Sequence, residues 1–503
     1  MVNDSEASDS LAPVYVVSRI EEKEENPSEN GDAPEKYGEL ILLGYNGSQE
    51  STRSNSNGKK HKSRLLVCKR KEGNGIKKGH SRSIVGSARD NAVVNDSTRH
   101  IVSYSYTKTH TVLVEFLPDR TKDMFQIGRS SEPQIDFVVV DTWLALSPDA
   151  PLSPASNKDC SPNISQLYDE GGKGDKQCPI MPGNRKCLAD AARREEKEIE
   201  KLRPASSTIS RYACRIQIDR VEPHNAYLFA AGFDASRNIF LGEKATKWTK
   251  PDGNVDGLTT NGILILQPHS FETKDEEVPD EDCRKMYLWR EVSVDGDIYN
   301  LRKARSSTTR GDLVRDETNQ LQDGTLIDLC GATLLWRTQK GLLNSPSRDD
   351  LEQALEALNA GRPQCPVSLN TLKVPKKKSA NSGSSKQPYV YLNCGHVQGK
   401  HDWGLHNVSN TTAYTCPVCR SDSTKVTQLV MGMESAFHLD SATLDHAFNP
   451  CGHVASLATV RYWSRIPLPH GTNSFHPVCP FCTSLLDEEK PYVRLIFQDH
   501  CFE

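Results

Sequence analysis

The sequence predicts a mainly β protein: a β-sandwich or barrel of short strands, followed by a small cysteine-rich domain. Three observations support this prediction. Short apolar, β-branched runs bounded by Gly, Asp and Asn turns recur before the last third of the chain, with hardly any helical periodicity. One arrangement of cysteines and histidines occurs twice near the C-terminus. The mean hydropathy of -0.59 is low for a wholly globular chain and implies substantial solvated segments.

Two polar segments are predicted to lie outside the folded core. Residues 1 to 36 are rich in Asp, Glu, Ser, Asn and Pro, which predicts a disordered N-terminal tail. Residues from about 144 to 205 carry clusters of Pro, Ser, Asn and Gly and then a charged run. This composition is typical of a solvated segment without a core of its own.

Length and charge limit the class of the protein. At 503 residues the chain has room for about three domains of ordinary size. The net charge of -4 provides no global field that would favour nucleic acid or an anionic membrane. The first residues contain no apolar signal region, and no run approaches the length of a membrane span. We therefore expect a soluble, cytoplasmic protein with reduced thiols that neither binds nucleic acid nor inserts into membranes.

Eight runs after the tail have strand character, because each is short, apolar or β-branched, and bounded by turn residues. They are residues 39–44, 64–68, 111–116, 136–140, 215–219, 262–266, 291–294 and 332–336. One helix is predicted from Asp349 to Ala360, with three leucines on one face and the segment 361–363 (Gly-Arg-Pro) at its end. We expect this helix to connect the strand-rich and cysteine-rich regions.

The repeated arrangement joins Cys-Gly-His to Cys-Pro-x-Cys, spaced as C-x-H-x19-C-x2-C in one copy and C-x-H-x25-C-x2-C in the other. Three thiolates and one imidazole are the ligand set of tetrahedral structural zinc. A Cys-x-x-Cys turn presents two sulfurs to one ion, and glycine lets the backbone fold closely around it. We therefore predict two Zn2+ ions. The candidate ligands are Cys394, His396, Cys416 and Cys419 in the first copy and Cys451, His453, Cys479 and Cys482 in the second.

The spacing leaves the pairing of these ligands open. Each copy could hold its own ion, or the pairs could interleave in a cross-brace. Cys365, in the segment Arg-Pro-Gln-Cys-Pro-Val, is a candidate additional or exchanged ligand. The other cysteines form no second ligand pattern, and no motif pairs a nucleophile with a base. We therefore expect no covalent catalytic residue.

Three loop motifs follow one another in the strand-rich region: residues 127–130 (Ile-Gly-Arg-Ser), 208–211 (Thr-Ile-Ser-Arg) and 259–262 (Thr-Thr-Asn-Gly). In this order, and with the closing stretch 321–331, the region resembles the forkhead-associated (FHA) domain. The resemblance implies a β-sandwich whose loops bind phosphothreonine peptides. A phosphothreonine offers up to two negative charges and strong acceptors, which an arginine fork, hydroxyls and loop amides satisfy.

The match to the FHA motifs assigns a role to five residues. Arg129 would clamp the phosphate, and Ser210 would hydrogen-bond it. Arg211 and Thr260 would complete the pocket. Asn261 would hold the peptide backbone.

Three features depart from an ordinary FHA domain. The histidine that the family carries after Ser-Arg-x is Ala213 here, so the loop bearing Ser210 must be supported in another way. The segment at about 144 to 205 becomes a long insertion between two strands of one domain. The early strands before residue 105 and the segment 233–248 exceed the FHA core, and they suggest an appended β wing.

The doubled Cys/His unit, together with segments such as 123–129, 330–337 and 466–472, is similar to Pellino proteins from about residue 37 to 500. The resemblance implies a tandem zinc domain of RING-like type. With it, the chain divides into a disordered tail (1–36), an FHA-like domain with its wing (37–340), a helical connector (341–363) and the RING-like domain (364–503).

The resemblance also implies a function. Pellino proteins are RING-type ubiquitin-protein ligases of Toll and interleukin-1 receptor signalling, whose FHA domain docks phosphorylated receptor-associated kinases. The expected partners are a ubiquitin-conjugating enzyme, ubiquitin and phosphorylated interleukin-1 receptor-associated kinases. Such a ligase contributes mainly proximity and orientation. The residues alone do not exclude a second class of protein, a non-catalytic phosphoprotein-binding scaffold with a structural zinc domain.

A conjugating enzyme would need an exposed apolar surface beside the zinc loops. The alternative is that these apolar residues pack a small zinc-stapled core. Arg420 follows Cys419 where RING domains often carry a residue that holds ubiquitin, and a solvated arginine is the alternative. The candidates for the apolar surface are Pro417, Pro480, Trp403, Trp463 and Val367.

Overall fold

The structure is a computed structural model. It describes residues 34–45, 64–86, 94–96, 98–139, 208–268, 287–305, 307–361, 363–376, 386–408, 411–470 and 474–498. The predicted insertion at 144–205 lies outside these residues. Residues 1–33 of the predicted tail also lie outside them, whereas Lys36 already belongs to the first strand.

The strand-rich region contains short strands, in keeping with its β-branched sequence. All eight predicted runs overlap a described strand, although only two of the described residues in the run at 136–140 are strand residues. The strands are β1 (Lys36–Tyr45), β2 (Arg64–Cys68), β3 (Gly75–Val85), β4 (His100–Thr107), β5 (His110–Asp119), β6 (Lys122–Gly128), β7 (Phe137–Val138), β8 (Cys214–Asp219), β9 (Ala226–Ala230), β10 (Asn238–Leu241), β11 (Lys247–Thr249), β12 (Val255–Gly257), β13 (Ile263–Leu266), β14 (Arg290–Val292), β15 (Ile298–Asn300), β16 (Gln320–Leu321), β17 (Leu326–Asp328) and β18 (Ala332–Thr338).

Two of the sheets share one buried core and form the predicted sandwich. The larger sheet has the order β15-β14-β13-β17-β18-β1-β2, and the smaller has the order β16-β9-β8-β6-β7. Leu40, Ile265 and Trp336 of the larger sheet belong to the same core as Ile127 and Ile216 of the smaller sheet. Because β6 and β8 are antiparallel, the end of β6 and the start of β8 meet at one edge of the sandwich.

A separate sheet forms the predicted wing. Its strand order is β10-β4-β5-β3, with β10 parallel to β4. The strands β11 and β12 pair only with each other and form a separate hairpin. Val102, Val114 and Ile239 of the wing sheet belong to the core of the sandwich. The wing is therefore built onto the sandwich through shared apolar packing.

The larger sheet is apolar on both faces. Along β1, Leu40 and Leu42 belong to the sandwich core, whereas Ile41 belongs to a second core. Along β13, Ile265 belongs to the sandwich core and Leu264 to the second core. Because successive strand residues point to opposite faces, the outer face of this sheet is also covered.

The predicted connector helix is present as α2 in the series α1 (Gln339–Leu343), α2 (Arg348–Ala360) and α3 (Leu457–Arg465). A capping box joins Ser347 and Asp350 at its N-terminus, and Leu351 and Leu355 are buried. Within the described residues, no helix is long and apolar enough to cross a membrane.

The sequence did not predict α1 or α3. The nine residues of α3 are too few to show a clear helical periodicity of apolar residues, and Thr459 and Val460 have low helix propensity. Ser456 caps the helix N-terminus, and burial of Tyr462 and Trp463 stabilises it.

The cysteine-rich region consists of very short strands in several small sheets. A 3-10 turn spans Ser435–Phe437. The strands are β19 (Tyr389–Tyr391), β20 (Val397–Gln398), β21 (Leu405–Val408), β22 (Thr411–Thr415), β23 (Asp422–Ser423), β24 (Val426–Gln428), β25 (Val430–Met431), β26 (His446–Phe448), β27 (His453–Ala455), β28 (Leu468–His470), β29 (Ser474–His476) and β30 (Tyr492–Arg494).

The two copies of the Cys/His pattern have the same backbone design. We call residues 388–431 the first module and residues 445–497 the second module. The Gly395 N–H donates to Tyr391 O at 2.8 Å, and the Gly452 N–H donates to Phe448 O at 2.8 Å. In both modules the strand before this turn pairs with a strand near the end of the module, as β19 with β24 and as β26 with β30.

Each module also donates a backbone hydrogen bond to the glycine turn of the other module. The Ile496 N–H of the second module donates to Gly395 O at 2.9 Å, and the Val430 N–H of the first donates to Gly452 O at 3.0 Å. Both glycines have positive φ, 82° for Gly395 and 77° for Gly452. A Cβ on Gly395 would lie 2.1 Å from Arg494 O, so the close approach requires glycine.

Candidate functional site

The first candidate site is a set of three loops at one edge of the sandwich. The Arg129 N–H donates to Ser210 O at 3.1 Å, and the Ser130 N–H donates to Arg211 O at 3.2 Å. A Cβ on Gly128 would lie 2.0 Å from Arg211 O, so glycine is needed for the loops to approach. The first two predicted motifs are therefore joined by their backbones.

Two side chains tie the loops to the same segment. Arg129 Nε donates to Ile209 O at 2.8 Å, and Asn261 Nδ2 donates to Thr208 O at 2.5 Å. Arg129 is exposed, and within the part of the chain that the structure describes its Nη groups have no protein acceptor. The half-buried Ser210 places its hydroxyl 3.4 Å from Tyr212 O. The structure thus brings Arg129, Ser210 and Asn261 around one short segment.

The support that the missing histidine would have given comes from Tyr212 and the backbone. The Tyr212 hydroxyl donates to Glu132 Oε1 at 2.6 Å, and the Ala213 N–H donates to Ile127 O at 2.8 Å. The hydrogen bond from Tyr212 lowers the pKa of Glu132, and burial together with Glu132 raises the pKa of Tyr212 to about 12. The Arg211 guanidinium carbon lies 5.5 Å from the Tyr212 ring centroid.

Two arginines that the sequence reasoning missed support the third loop. Arg302 Nη2 donates to Thr259 O at 2.9 Å and forms a buried ion pair with Glu291 at 2.6 Å. Arg305 Nη1 donates to Asn261 O at 3.1 Å. Thr260, between these anchored residues, is exposed. No spacing in the sequence points to this role, because the arginines are distant from the loop in the chain.

The second candidate site is a pair of Cys/His clusters, one in each module. In each cluster the four ligand atoms lie within 4.8 Å of one another. The structure therefore groups the residues locally and not as a cross-brace. The groups are Cys394, His396, Cys416 and Cys419 in the first module and Cys451, His453, Cys479 and Cys482 in the second.

The number and type of donors in each cluster fit a tetrahedral metal ion. Burial raises the pKa of the Cys479 thiol well above its ordinary value, so a cluster of thiolates there needs a cation. Each Cys-Pro-x-Cys segment also forms the same tight turn. The Cys416 N–H donates to Ser421 O and the Cys479 N–H to Ser484 O, both at 2.9 Å. These turns present both sulfurs to one point.

Cys365 forms a third turn of this kind but lies in neither cluster. Its N–H donates to Asn370 O at 3.0 Å and its carbonyl accepts from the Leu369 N–H at 3.0 Å, as in the other two turns. Ser368 stands where those turns have their second cysteine, and its N–H donates to Cys365 Sγ at 3.4 Å. The structure thus gives Cys365 amide donors in place of a shared ion.

The first module presents exposed apolar side chains. Val418, between Cys416 and Cys419, is 50% exposed, and Trp403 is 47% exposed. Leu405 of this module is also exposed, as is Val367, which precedes the module in the chain. Two other proposed surface residues are buried. Trp463 is 2% exposed and donates from Nε1 to Phe437 O at 2.8 Å, and Pro480 is also buried, so the prediction that they belong to the docking surface was wrong.

Comparison with known proteins matches the regions that carry both candidate sites to domains of one family. The family model of the Pellino FHA domain matches residues 28–354, and that of the Pellino RING domain matches residues 358–502. This chain belongs to the Pellino family. The Drosophila melanogaster protein named "Protein pellino" is 45% identical over 479 residues, which are 95% of this chain and 96% of that protein.

The names of two further Pellino relatives state an activity. The human "E3 ubiquitin-protein ligase pellino homolog 2" is 43% identical over 465 residues, covering 92% of this chain and 96% of that protein. The mouse "E3 ubiquitin-protein ligase pellino homolog 3" is 44% identical over 469 residues, covering 93% and 91%. With its RING domain, the chain is an E3 ubiquitin-protein ligase of the Pellino family.

Proposed function

We propose that this Pellino ligase binds phosphothreonine at the three sandwich loops and docks a ubiquitin-charged conjugating enzyme on the first module. The observation that carries the proposal is the exposed Val418 side chain on the Cys-Pro-x-Cys turn of the first module, a module in which Trp403 and Leu405 are exposed as well. Exposed apolar clusters of this kind mark protein interaction sites. The proposed substrates are phosphorylated interleukin-1 receptor-associated kinases of Toll and interleukin-1 receptor signalling, in the cytoplasm.

The phosphate would lie against Arg129 and Ser210. Arg129 is exposed and held at Nε, which leaves its terminal nitrogens for charge-assisted hydrogen bonds to phosphate oxygens. The Ser210 hydroxyl and the exposed Thr260 hydroxyl would donate to the same group, and Arg211 would add charge. Asn261 would orient the peptide backbone.

The eight clustered cysteines and histidines would hold two Zn2+ ions. Zinc would supply structure there, because four protein donors complete a tetrahedral ion and leave no open position. The chain's own contribution to transfer is orientation of the charged conjugating enzyme beside a bound substrate. Arg420, exposed with φ 62°, follows the first-module turn and would contact the docked enzyme or its ubiquitin.

A discharge assay tests the docking surface. Full-length protein is incubated with a ubiquitin-charged conjugating enzyme and free lysine, and loss of the thioester is followed. We expect Val418→Glu to slow discharge about tenfold or more, because a charge replaces an apolar contact. Leu343→Glu is the matched control, since Leu343 is 77% exposed on α1 and belongs to neither Cys/His cluster. Equal rates for wild type and Val418→Glu would contradict the assignment.

A peptide titration tests the phosphate loops independently. We expect Arg129→Ala to weaken binding of a phosphothreonine peptide by about tenfold or more, because a charge-assisted hydrogen bond is lost. The wing variant Arg82→Ala, also at an exposed arginine, should bind like wild type. If Arg129→Ala binds as tightly as wild type, the phosphate pocket lies elsewhere.

A further inference from the structure

The outer face of the FHA sheet is joined to the second module through a shared apolar core. Ile41, Leu264 and Leu335 of the sheet belong to the same buried cluster as Val460 and Trp463 of α3. Strands with only one buried face usually alternate apolar and polar residues, whereas these strands are nearly continuously apolar. The outer face of the sheet is therefore buried against the second module.

Specific contacts orient the two sides of this interface. Trp289 Nε1, on the sheet side, donates to Pro467 O of the second module at 2.6 Å. Arg337 Nη1 of β18 donates to Ala436 O, between the modules, at 2.9 Å. Directional hydrogen bonds added to an apolar core allow one relative orientation, because a rotation would leave buried polar groups unpaired.

The second metal turn itself touches the sheet. A Cβ on Gly44 of β1 would lie 2.3 Å from Thr483 Cγ2, so the turn at Cys479 to Ser484 is in direct contact with the strand. Thr483 has φ 60° and its N–H donates to Cys479 O at 2.7 Å. The position of this turn is thus set by the metal cluster on one side and by β1 on the other.

The second module is in turn interlocked with the first. The Ile496 and Val430 amide bonds cross between the modules, and a third buried cluster contains Val390 and Leu429 of the first module with Val454 and Leu495 of the second. Packed elements of the second module therefore connect the FHA sheet to the first module. The position of the first module relative to the sheet does not depend on the connector helix alone.

We propose that the second module is a positioning element, which fixes the distance between the phosphothreonine pocket and the conjugating-enzyme surface of the first module. The proposal rests on the proposed function of those two sites. It predicts that the lysine to be modified is chosen by its distance from the phosphothreonine along the substrate. A rigid spacing gives a distance optimum because reactive groups must meet in one geometry.

The test uses full-length protein and synthetic peptides with one phosphothreonine and one lysine at increasing separations. Wild type should show a preferred separation. Gly44→Ala should reduce ubiquitin transfer at that separation about fivefold and flatten the preference, because its methyl group would push the Thr483 turn away from β1. Discharge to free lysine and the peptide Kd should both stay at the wild-type values.

A compensating variant guards against a general folding defect. Gly44→Ala/Thr483→Ser removes the clashing methyl group and should restore the preferred separation. Gly242→Ala is the matched control, since a Cβ there meets no atom within 4 Å. A Gly44→Ala variant with the wild-type distance preference, or a double variant without recovery, would overturn the proposal. Wild type that fails to bind the peptide or to discharge ubiquitin would refute the proposed function instead.

Discussion

The first and second modules share a sequence pattern and a backbone design, yet their surroundings are opposite. At the same position of the Cys-Pro-x-Cys turn, Val418 is 50% exposed, whereas Phe481 lies against aromatic rings. The Phe481 ring centroid is 5.9 Å from that of Phe437, 5.1 Å from that of His438 and 5.6 Å from that of His453. One copy of the turn faces outward and the other forms part of a core.

This difference shows how a duplicated module can serve two purposes. A small module held by one ion needs little apolar core of its own, so its surface is available for partners. In the second module the turn contacts the FHA sheet through Thr483 and Phe481 packs against Phe437 and His438, whereas in the first module Val418 is exposed. The chain therefore presents one exposed Cys-Pro-x-Cys surface among its described residues, although it carries the pattern twice.

Replacement of the candidate metal ligands is the strongest way to separate the modules. We expect Cys479→Ser/Cys482→Ser to lower the unfolding temperature of the FHA domain, because Cys479 lies in the core shared with its sheet. Structural zinc contributes about 10–16 kcal/mol of binding free energy in small domains. Cys416→Ser/Cys419→Ser should abolish ubiquitin discharge and leave FHA unfolding unchanged. Calorimetry with metal analysis measures both effects, and equal FHA destabilisation by the two double variants would refute the contrast.

The aromatic side chain of the second turn provides the next largest effect. Phe481→Ala should destabilise the protein by about 2–3 kcal/mol, less than the cost of deleting a fully buried phenylalanine, because the ring is half-buried against the core. Its contacts with Phe437 and His453 are lost in this variant. Urea unfolding followed by tryptophan fluorescence measures the change. A loss below about 1 kcal/mol would mean that the ring is not part of the core.

The third turn, at Cys365, tests whether a turn of this kind is stable without a bound metal ion. Cys365→Ala should leave the metal content at the wild-type value, because Cys365 belongs to neither cluster. Stability should fall by about 1–2 kcal/mol from the lost packing and the lost amide-to-sulfur bond. Metal analysis and urea unfolding of the same sample give both numbers. Loss of one ion from this variant would make Cys365 a ligand after all.

The exposed residue of the first turn should have the smallest effect on stability. Val418→Ala is expected to change the free energy of unfolding by about 0.5 kcal/mol or less, as for most surface substitutions. Discharge of a charged conjugating enzyme should nevertheless slow, by about threefold, because part of the apolar contact is removed. Phe481→Ala should have the larger effect on unfolding, and Val418→Ala should have the larger effect on discharge. A destabilisation equal to that of Phe481→Ala would erase the distinction between the turns.

Much of the fold could be predicted because it depends on local sequence. The runs of β1 and β13 are apolar, β8 alternates isoleucine with polar residues, and α2 has both a capping residue and an apolar face. The mainly β architecture with its FHA and RING domains is confirmed. The roles of Arg129, Ser210, Arg211, Thr260 and Asn261 in phosphate binding stay predictions.

Other features could not be read from local sequence. Trp403 and Trp463 were equal candidates for the docking surface, but Trp463 is buried on α3 against the FHA sheet and Trp403 is exposed. Arg302 and Arg305 reach the third loop from a distant part of the chain. One signal was available: the unbroken apolar runs of β1 and β13 indicate strands buried on both faces.

The sequence by itself determined the pairs of Cys and His donors, because each pair lies in a short turn that presents both donors together, whereas the structure decided that the pairs of one copy group together. It also determined the strand-rich character and the order of the three loop motifs. Only the tertiary structure decided which module is covered and which is open. Burial depends on what packs against a surface, and here the covering sheet comes from residues more than a hundred positions away in the chain.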